Sequence, residues 1–205
     1  MKLIVITQEE ASDKEIGQVK QLLASGLVWR VHIRKKQLSD TEMLGFLGAF
    51  SESEKRLLSS HSHYDLALEE GLGGLHFTSK MNTEMCQELY KQARAQGMLT
   101  SASCHSFNEV ERSSSLDYVF LSPIFSSISK ILEKAFSYNA IRLFLKEARI
   151  DVFALGGISL ETIEFARELG FPGVASLGYI WLGDNPCEQA RSLLGSESTH
   201  AALCS

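Results

Sequence analysis

The chain has 205 residues, 44% of them hydrophobic and 22% charged, a balance close to that of ordinary globular proteins and far from disordered or fibrous chains. Twenty basic residues against 25 acidic ones give a formal charge of −5, which excludes a pervasive positive field for nucleic acid or an anionic membrane, so any anion must be held locally. The longest apolar runs, LIVI at 3–6 and VFAL at 152–155, fall far short of the ~20 residues that cross a bilayer, and no secretory signal precedes LIVI, so the cytoplasm is the expected location.

Short apolar runs alternate with amphipathic segments along the whole length. A strand at 2–6 leads to a helix at 12–25, stopped by Gly26; a strand at 28–33 leads to a helix at 39–49 opened by Ser39-Asp40. Next come a strand at 56–60 and a helix at 63–70 ended by Gly71, then a strand at 73–77 and a helix at 82–97, with Asn82 and Glu84 at its start and Gly97 at its end. A strand at 99–104 is followed by a helix at 106–112, where Ser106 and Glu109 have capping-box spacing. Strands at 117–122, 151–155 and 172–177 precede helices at 138–148, 159–169 and 186–194; Ser159, Glu161 and Thr162 mark one start and Gly170 one stop.

Eight strand-then-helix repeats predict an α/β fold, a compact TIM (β/α)8 barrel forming a single domain over residues 1–195, with 196–205 as a flexible C-terminal tail. An open doubly wound sheet fits less well, because no GxGxxG follows the first strand and the glycine-rich turns come late. Cys86, Cys104, Cys187 and Cys204 form no CxxC pair and read as free thiols.

In such a barrel, functional groups gather where the strands end. Gly156-Gly157-Ile158-Ser159 and Ser176-Leu177-Gly178 close the last two strands, where glycines let backbone amides approach phosphate oxygens; tight turns are the plainer alternative. Alternation along VHIRKK turns His32, Arg34 and Lys36 to one side, and the two cations suit a diphosphate, whereas a solvated basic turn describes Lys35 better. The loop at 122–130 carries hydroxyls and ends in Lys130, with room up to Ser137 for a mobile cover; a bland serine-rich loop is its alternative.

His105, in Ser103-Cys104-His105-Ser106, stands at a strand's carboxyl edge, suited either to proton transfer or to a hydrogen-bonding structural role. Cys104 faces the other way and forms no nucleophile pair with it. His61 and His63, with His76 in the next strand, have spacing that can bind a transition metal. No nearby cysteine or carboxylate completes a ligand set, so a structural or polar-contact role is expected and no metal site is assigned. Thr78-Ser79-Lys80 offers no acidic residue before Glu84, which leaves magnesium without carboxylates.

Taken together, VHIRKK, HSHYDLALEEGLGGLHF, SASCHSFNEV, DYVFLSPIFSSISK, FALGGIS and FPGVASLGYIW resemble, in order and spacing from about residue 3 to 182, successive motifs of the thiamin phosphate synthase and TenI family. The resemblance implies a (β/α)8 barrel that binds thiazole phosphate. Its synthase branch also binds hydroxymethylpyrimidine diphosphate and couples the two with Mg2+ and release of diphosphate. Its TenI branch isomerises thiazole carboxylate phosphate to the aromatic tautomer and needs no cofactor. By motif, Ser127, Ser129 and Lys130 match the hydroxyls and lysine of the synthase pattern. Gly157, next to Gly156, matches a glycine whose amide meets the thiazole phosphate, and the backbone near Leu177 and Gly178 completes that cradle. Arg34 and Lys36 match the diphosphate cations, and Ser103 a pyrimidine-side serine.

The departures fall on the coupling chemistry. His32 replaces a pyrimidine-side glutamine, His61 and Ser62 replace an asparagine and the first magnesium aspartate, and Thr78-Ser79-Lys80-Met81 stands where the second aspartate is expected. Without those carboxylates the resemblance favours a TenI-like tautomerase with His105 as proton shuttle, and His105 and Lys130 are the catalytic candidates across the two branches. The alternatives are a Mg2+-dependent synthase, for which Lys36 and Lys130 speak, a noncatalytic relative that keeps the phosphate cradle, or an unrelated phosphosugar barrel. The expected partners are thiazole phosphate and, for a synthase, hydroxymethylpyrimidine diphosphate; no nucleic acid or membrane is expected, and a homo-oligomer is compatible.

Overall fold

The structure, a computed structural model, describes residues 1–10, 13–77, 83–125 and 136–195. Strands β1 (Lys2–Ile6), β2 (Arg30–Ile33), β3 (Leu58–Ser60), β4 (Gly74–Phe77), β5 (Leu99–Cys104), β6 (Tyr118–Leu121), β7 (Asp151–Leu155) and β8 (Gly173–Ser176) pair in parallel, in chain order, and β8 pairs back on β1 to close a barrel. Around it run α1 (Asp13–Ala24), α2 (Asp40–Gly48), α3 (Glu52–Lys55), α4 (Tyr64–Glu69), α5 (Thr83–Ala95), α6 (Phe107–Arg112), α7 (Tyr138–Glu147), α8 (Ile163–Leu169), α9 (Gly178–Trp181) and α10 (Pro186–Leu194). The predicted (β/α)8 barrel is the observed one. Among the described residues no helix is long and apolar enough to cross a membrane.

Because side chains alternate along each strand, the two faces feed two separate cores. Leu3, Val5, Val31, Ile33, Val119, Val152 and Val174 pack outward beneath the helices, while Ile4, Ile6, Tyr118, Phe120, Phe153 and Ala175 fill the barrel. The interior is lopsided: the fully buried apolar residues come from β6–β8 and β1, whereas β2–β5 contribute imidazoles, hydroxyls and the Arg30 guanidinium, with Leu99 packed against the apolar cluster. Trp29, just before β2, stacks on Phe153 at 5.3 Å and meets Tyr118 edge-on at 5.1 Å, with Lys2 Nζ 4.7 Å from its ring. These rings seal the N-terminal end of the barrel and leave the opposite end as the mouth.

Strands β1, β5 and β7 have their expected bounds, and the other strands are shorter by one or two residues at an end. Two single-turn helices, α3 and α9, were not expected. Ser51 caps α3 with a capping box through Glu54, so residues assigned to the start of the third strand become a helix end. The cap expected at Ser159 is also corrected. The Thr162 hydroxyl accepts from Ser159 N–H at 2.9 Å and donates to the Gly157 carbonyl at 2.7 Å, so the turn is stitched shut and α8 begins only at Ile163. Glycines 26, 71, 97 and 170 all take positive φ at helix ends, as expected. The cap at Asn82 and the tail from Ser196 lie outside the described residues.

Candidate active site

The mouth on the β5–β8 side is built from three strand ends that brace one another. His105 follows β5 and is exposed; its Nδ1 lies 2.9 Å from the Ser122 carbonyl oxygen just after β6. A carbonyl only accepts, so Nδ1 carries a proton, and the neutral form of the ring has its lone pair on Nε2. Glu109 fixes the backbone at this corner, accepting the His105 N–H at 2.6 Å while its own N–H donates to the Ser106 hydroxyl at 3.2 Å. Cys104 turns away into the helix layer, its sulfur 3.7 Å from the Ser113 hydroxyl, and burial pushes its thiol up, so it offers no nucleophile.

Ser122 and Pro123 lead directly to the glycine turn after β7. Ile124 N–H donates to the Leu155 carbonyl at 3.0 Å and Phe125 N–H to the Gly156 carbonyl at 3.2 Å, so the two loops run side by side. Gly157 has φ +65, and a Cβ there would lie 2.6 Å from the Phe125 oxygen, so this close approach requires glycine. At the end of β8, Leu177 packs its side chain against the barrel core, and Gly178 opens α9. The indole N–H of Trp181 donates to the Ile6 carbonyl at 2.8 Å and fixes α9 over the first strand. His105, Gly156, Gly157, Leu177 and Gly178 thus come together on one side of the mouth. Ser127, Ser129 and Lys130 lie outside the described residues.

The opposite side is occupied by three imidazoles. His32 is fully buried inside the barrel, its Nδ1 2.8 Å from His61 Nε2 and its Nε2 2.7 Å from the Tyr118 hydroxyl. His76 is equally buried; its ring stacks on His61 at 4.0 Å, and its two nitrogens lie 2.9 Å from the hydroxyls of Ser101 and Ser103. The Tyr64 hydroxyl lies 3.1 and 2.9 Å from the carbonyl oxygens of His61 and His76, tying together the backbones that carry the stacked rings. Burial pushes His76 down to about 3 and holds His32 and His61 well below the usual histidine range, with neighbouring positive charge adding to the effect, so all three are neutral.

His61 and His63 do not share a site, because β3 ends at Ser60 and His63 adopts a left-handed backbone that turns its Nε2 to the Leu38 carbonyl, 2.8 Å away. The partners of His61 are instead on neighbouring strands. The signal was present in the sequence: in VHI and GLHF the histidine occupies the same alternation phase, which the barrel turns inward.

Arg34 is half-buried at the end of β2, 3.4 Å from the Glu9 carboxylate, and Lys36 is exposed; the charges of both reach His61. The expectation for Lys35 is overturned. Rather than lying in a solvated turn, Lys35 is wholly buried, bound to the Glu15 carboxylate and to the carbonyls of Gln8, at 2.6 Å, and Glu10. This clamp holds the loop after β1 against β2. Burial pushes the Glu15 carboxyl up, against the pull of the Lys35 ammonium.

Magnesium takes oxygen ligands, usually carboxylates. Among the described residues, the three imidazoles are the one cluster of His, Cys, Asp or Glu side chains that converges on a point. That cluster offers nitrogen donors and no carboxylate.

Similar sequences and a similar barrel are found among known proteins. A thiamine-phosphate synthase of Parasynechococcus marenigrum is 30% identical over 189 residues, covering 89% of this chain and 53% of its own length, so the chain spans about half of that relative. A putative thiamine-phosphate synthase of Geobacter sulfurreducens is 27% identical over 93% of this chain and 91% of its own length. The crystal structure of a thiamine phosphate pyrophosphorylase from Bacteroides thetaiotaomicron superposes with a TM-score of 0.74 at 26% identity, covering 95% of this chain and 96% of that one. The family model for thiamine monophosphate synthase (TMP-TENI) matches residues 3–180, a span that takes in all eight strands and the glycine turns that close the last two, and the chain belongs to that family.

Proposed function

We propose that the chain binds thiazole phosphate at the β7–β8 side of the mouth and moves a proton on the thiazole ring with His105, as a TenI-like tautomerase. The observation that carries this reading is the hydrogen bond from His105 Nδ1 to the Ser122 carbonyl, which makes Nε2 the ring nitrogen that can exchange a proton at the mouth. In this reading the amide of Gly157, with the backbone at Leu177 and Gly178, holds the phosphate. Nε2 takes a proton from one position of the ring, and the resulting imidazolium returns one at another, so the isomerisation is balanced without a cofactor. Ser127, Ser129 and Lys130 belong to the proposal by motif, as donors to phosphate oxygens.

On the β2–β4 side, where a synthase would hold hydroxymethylpyrimidine diphosphate, this chain has the neutral imidazoles of His32, His61 and His76, with Ser103 engaged by His76. A one-substrate reaction needs nothing there. The second reading, a Mg2+-dependent synthase, is favoured by the names of the relatives and by the cations Arg34 and Lys36 near the mouth.

The deciding experiment incubates the purified chain with the thiazole carboxylate phosphate tautomer, with and without hydroxymethylpyrimidine diphosphate and Mg2+, and follows ring protons by NMR. Isomerisation without diphosphate or Mg2+ is expected. Formation of thiamin phosphate that requires Mg2+, or binding without any turnover, would overturn the proposal.

A further inference from the structure

We propose that His32, His61 and His76 form a binding site for a divalent transition-metal ion of the zinc class. The three rings come from adjacent strand ends, and one nitrogen of each lies within 4.8 Å of the others. Zinc holds imidazole nitrogen at about 2.0–2.1 Å in tetrahedral geometry, which sets the centres of two ligating rings roughly 5 Å apart. The His32–His61 and His32–His76 centroids are 5.0 and 5.2 Å apart and already meet that spacing. His61 and His76, at 4.0 Å, must separate by about 1 Å through side-chain rotation, because the His61 backbone is held by its N–H to the Ile33 carbonyl at 3.0 Å and by its carbonyl to the Tyr64 hydroxyl.

The outer contacts also suit ligation. When His32 binds through the Nδ1 that faces His61, its Nε2 remains on the Tyr118 hydroxyl at 2.7 Å. Whichever nitrogen His76 gives to the metal, the other keeps a serine hydroxyl at 2.9 Å. Such outer partners orient ligating histidines in metalloproteins generally. A site with nitrogen donors and no carboxylate or thiolate selects zinc, copper, nickel or cobalt over magnesium and calcium. The neutral rings release no net proton on binding, and the proton shared between His32 Nδ1 and His61 Nε2 moves to the outer nitrogen of the ring that carried it. Three protein ligands leave a fourth position, which the nearby charges of Arg34 and Lys36 bias toward an anion such as hydroxide or a phosphate oxygen. The inference stands apart from the proton-transfer reading, which uses the other side of the mouth.

The test is a zinc titration of the chelator-treated full chain by calorimetry, together with the absorption spectrum of the cobalt-loaded chain. One equivalent is expected to bind, with tetrahedral d–d bands and no thiolate charge-transfer band. His61→Ala and His76→Ala are each expected to weaken binding at least about tenfold, with His63→Ala unchanged because its ring faces the Leu38 carbonyl. Should the cluster variants fail to fold, the wild-type chain alone decides, because a hundredfold excess of zinc over its dissociation constant should raise the unfolding temperature by about 5–10 °C. No binding up to about 100 µM zinc, a thiolate band, or binding that survives His61→Ala would overturn the proposal.

Discussion

Replacing Gly157 by alanine tests whether the turn after β7 is held open by a close contact between backbones. Two separable costs are expected. The residue has φ +65, and a left-handed backbone costs a side-chain-bearing residue roughly 1–2 kcal/mol. The new Cβ would also lie 2.6 Å from the Phe125 oxygen, 2.8 Å from its Cβ and 2.9 Å from its carbonyl carbon. Backbone atoms tied by the Phe125–Gly156 hydrogen bond do not yield as a flexible side-chain end would, and overpacking of this kind costs about 1–3 kcal/mol. Together these give roughly 2–5 kcal/mol, or about 4–20 °C in unfolding temperature for a chain of this size. Gly97 supplies the control: its φ is +69 and a Cβ there meets nothing within 4 Å, so Gly97→Ala should show the backbone cost alone, about 2–8 °C. Urea unfolding of both variants measures the difference, and titration with thiazole phosphate shows whether the displaced loop also loses its ligand, by about tenfold or more. Equal destabilisation by the two substitutions, or Gly157→Ala with unchanged affinity, would refute the reasoning.

His105→Ala should lower the isomerisation rate by about 10²–10⁴-fold with KM little changed, read from steady-state kinetics; an equal loss in affinity would assign the ring to binding. Lys35→Met removes the counter-charge of a buried carboxylate and should cost about 3–5 kcal/mol in urea unfolding. Asp151→Asn, which breaks the half-exposed pair with Lys2 while leaving Lys2 beside Trp29, should cost under about 1 kcal/mol, and Glu15→Gln added to Lys35→Met should recover part of the loss. The imidazole cluster sets an acid dependence. His76 is depressed in the folded chain to about 3, so the unfolded chain binds the extra proton, and stability is complete above the ordinary histidine value and falls as pH drops from about 6.5 toward 3. His76 alone contributes a slope of about 1.4 kcal/mol per pH unit in that window, and His76→Gln should flatten it in urea melts taken from pH 7 to 4.

The repeating alternation of apolar strand and amphipathic helix made the barrel legible, and the late glycines marked the close-packed turns on the β7–β8 side of its mouth. What stayed hidden depended on contacts distant in sequence. The partner of Lys35 is Glu15, a helix and a strand away, so a lysine in a basic run read as solvated although its ammonium ends in the core. His63 was grouped with His61 because spacing of two suggests a shared face, but the strand ends at Ser60 and the left-handed turn at His63 breaks that geometry. The true companions of His61 are 29 residues before it and on the next strand after it, and only barrel closure brings His32 and His76 against it. Helices α3 and α9 escaped notice because one turn is too short to show a period.

The uneven filling of the barrel divides labour between its halves. On one half, aromatic and aliphatic packing stiffens the wall behind the glycine turns; on the other, buried hydroxyls and imidazoles line the barrel and meet that packing at Phe120 and Tyr118. Under the proposed function, rewriting the residues of β2 to β4 should therefore change what happens beside the phosphate ester more than it disturbs the glycine turns on the other half. A chimera that imports those three strand ends from a relative should inherit the donor's co-substrate preference while retaining its own grip on the ester.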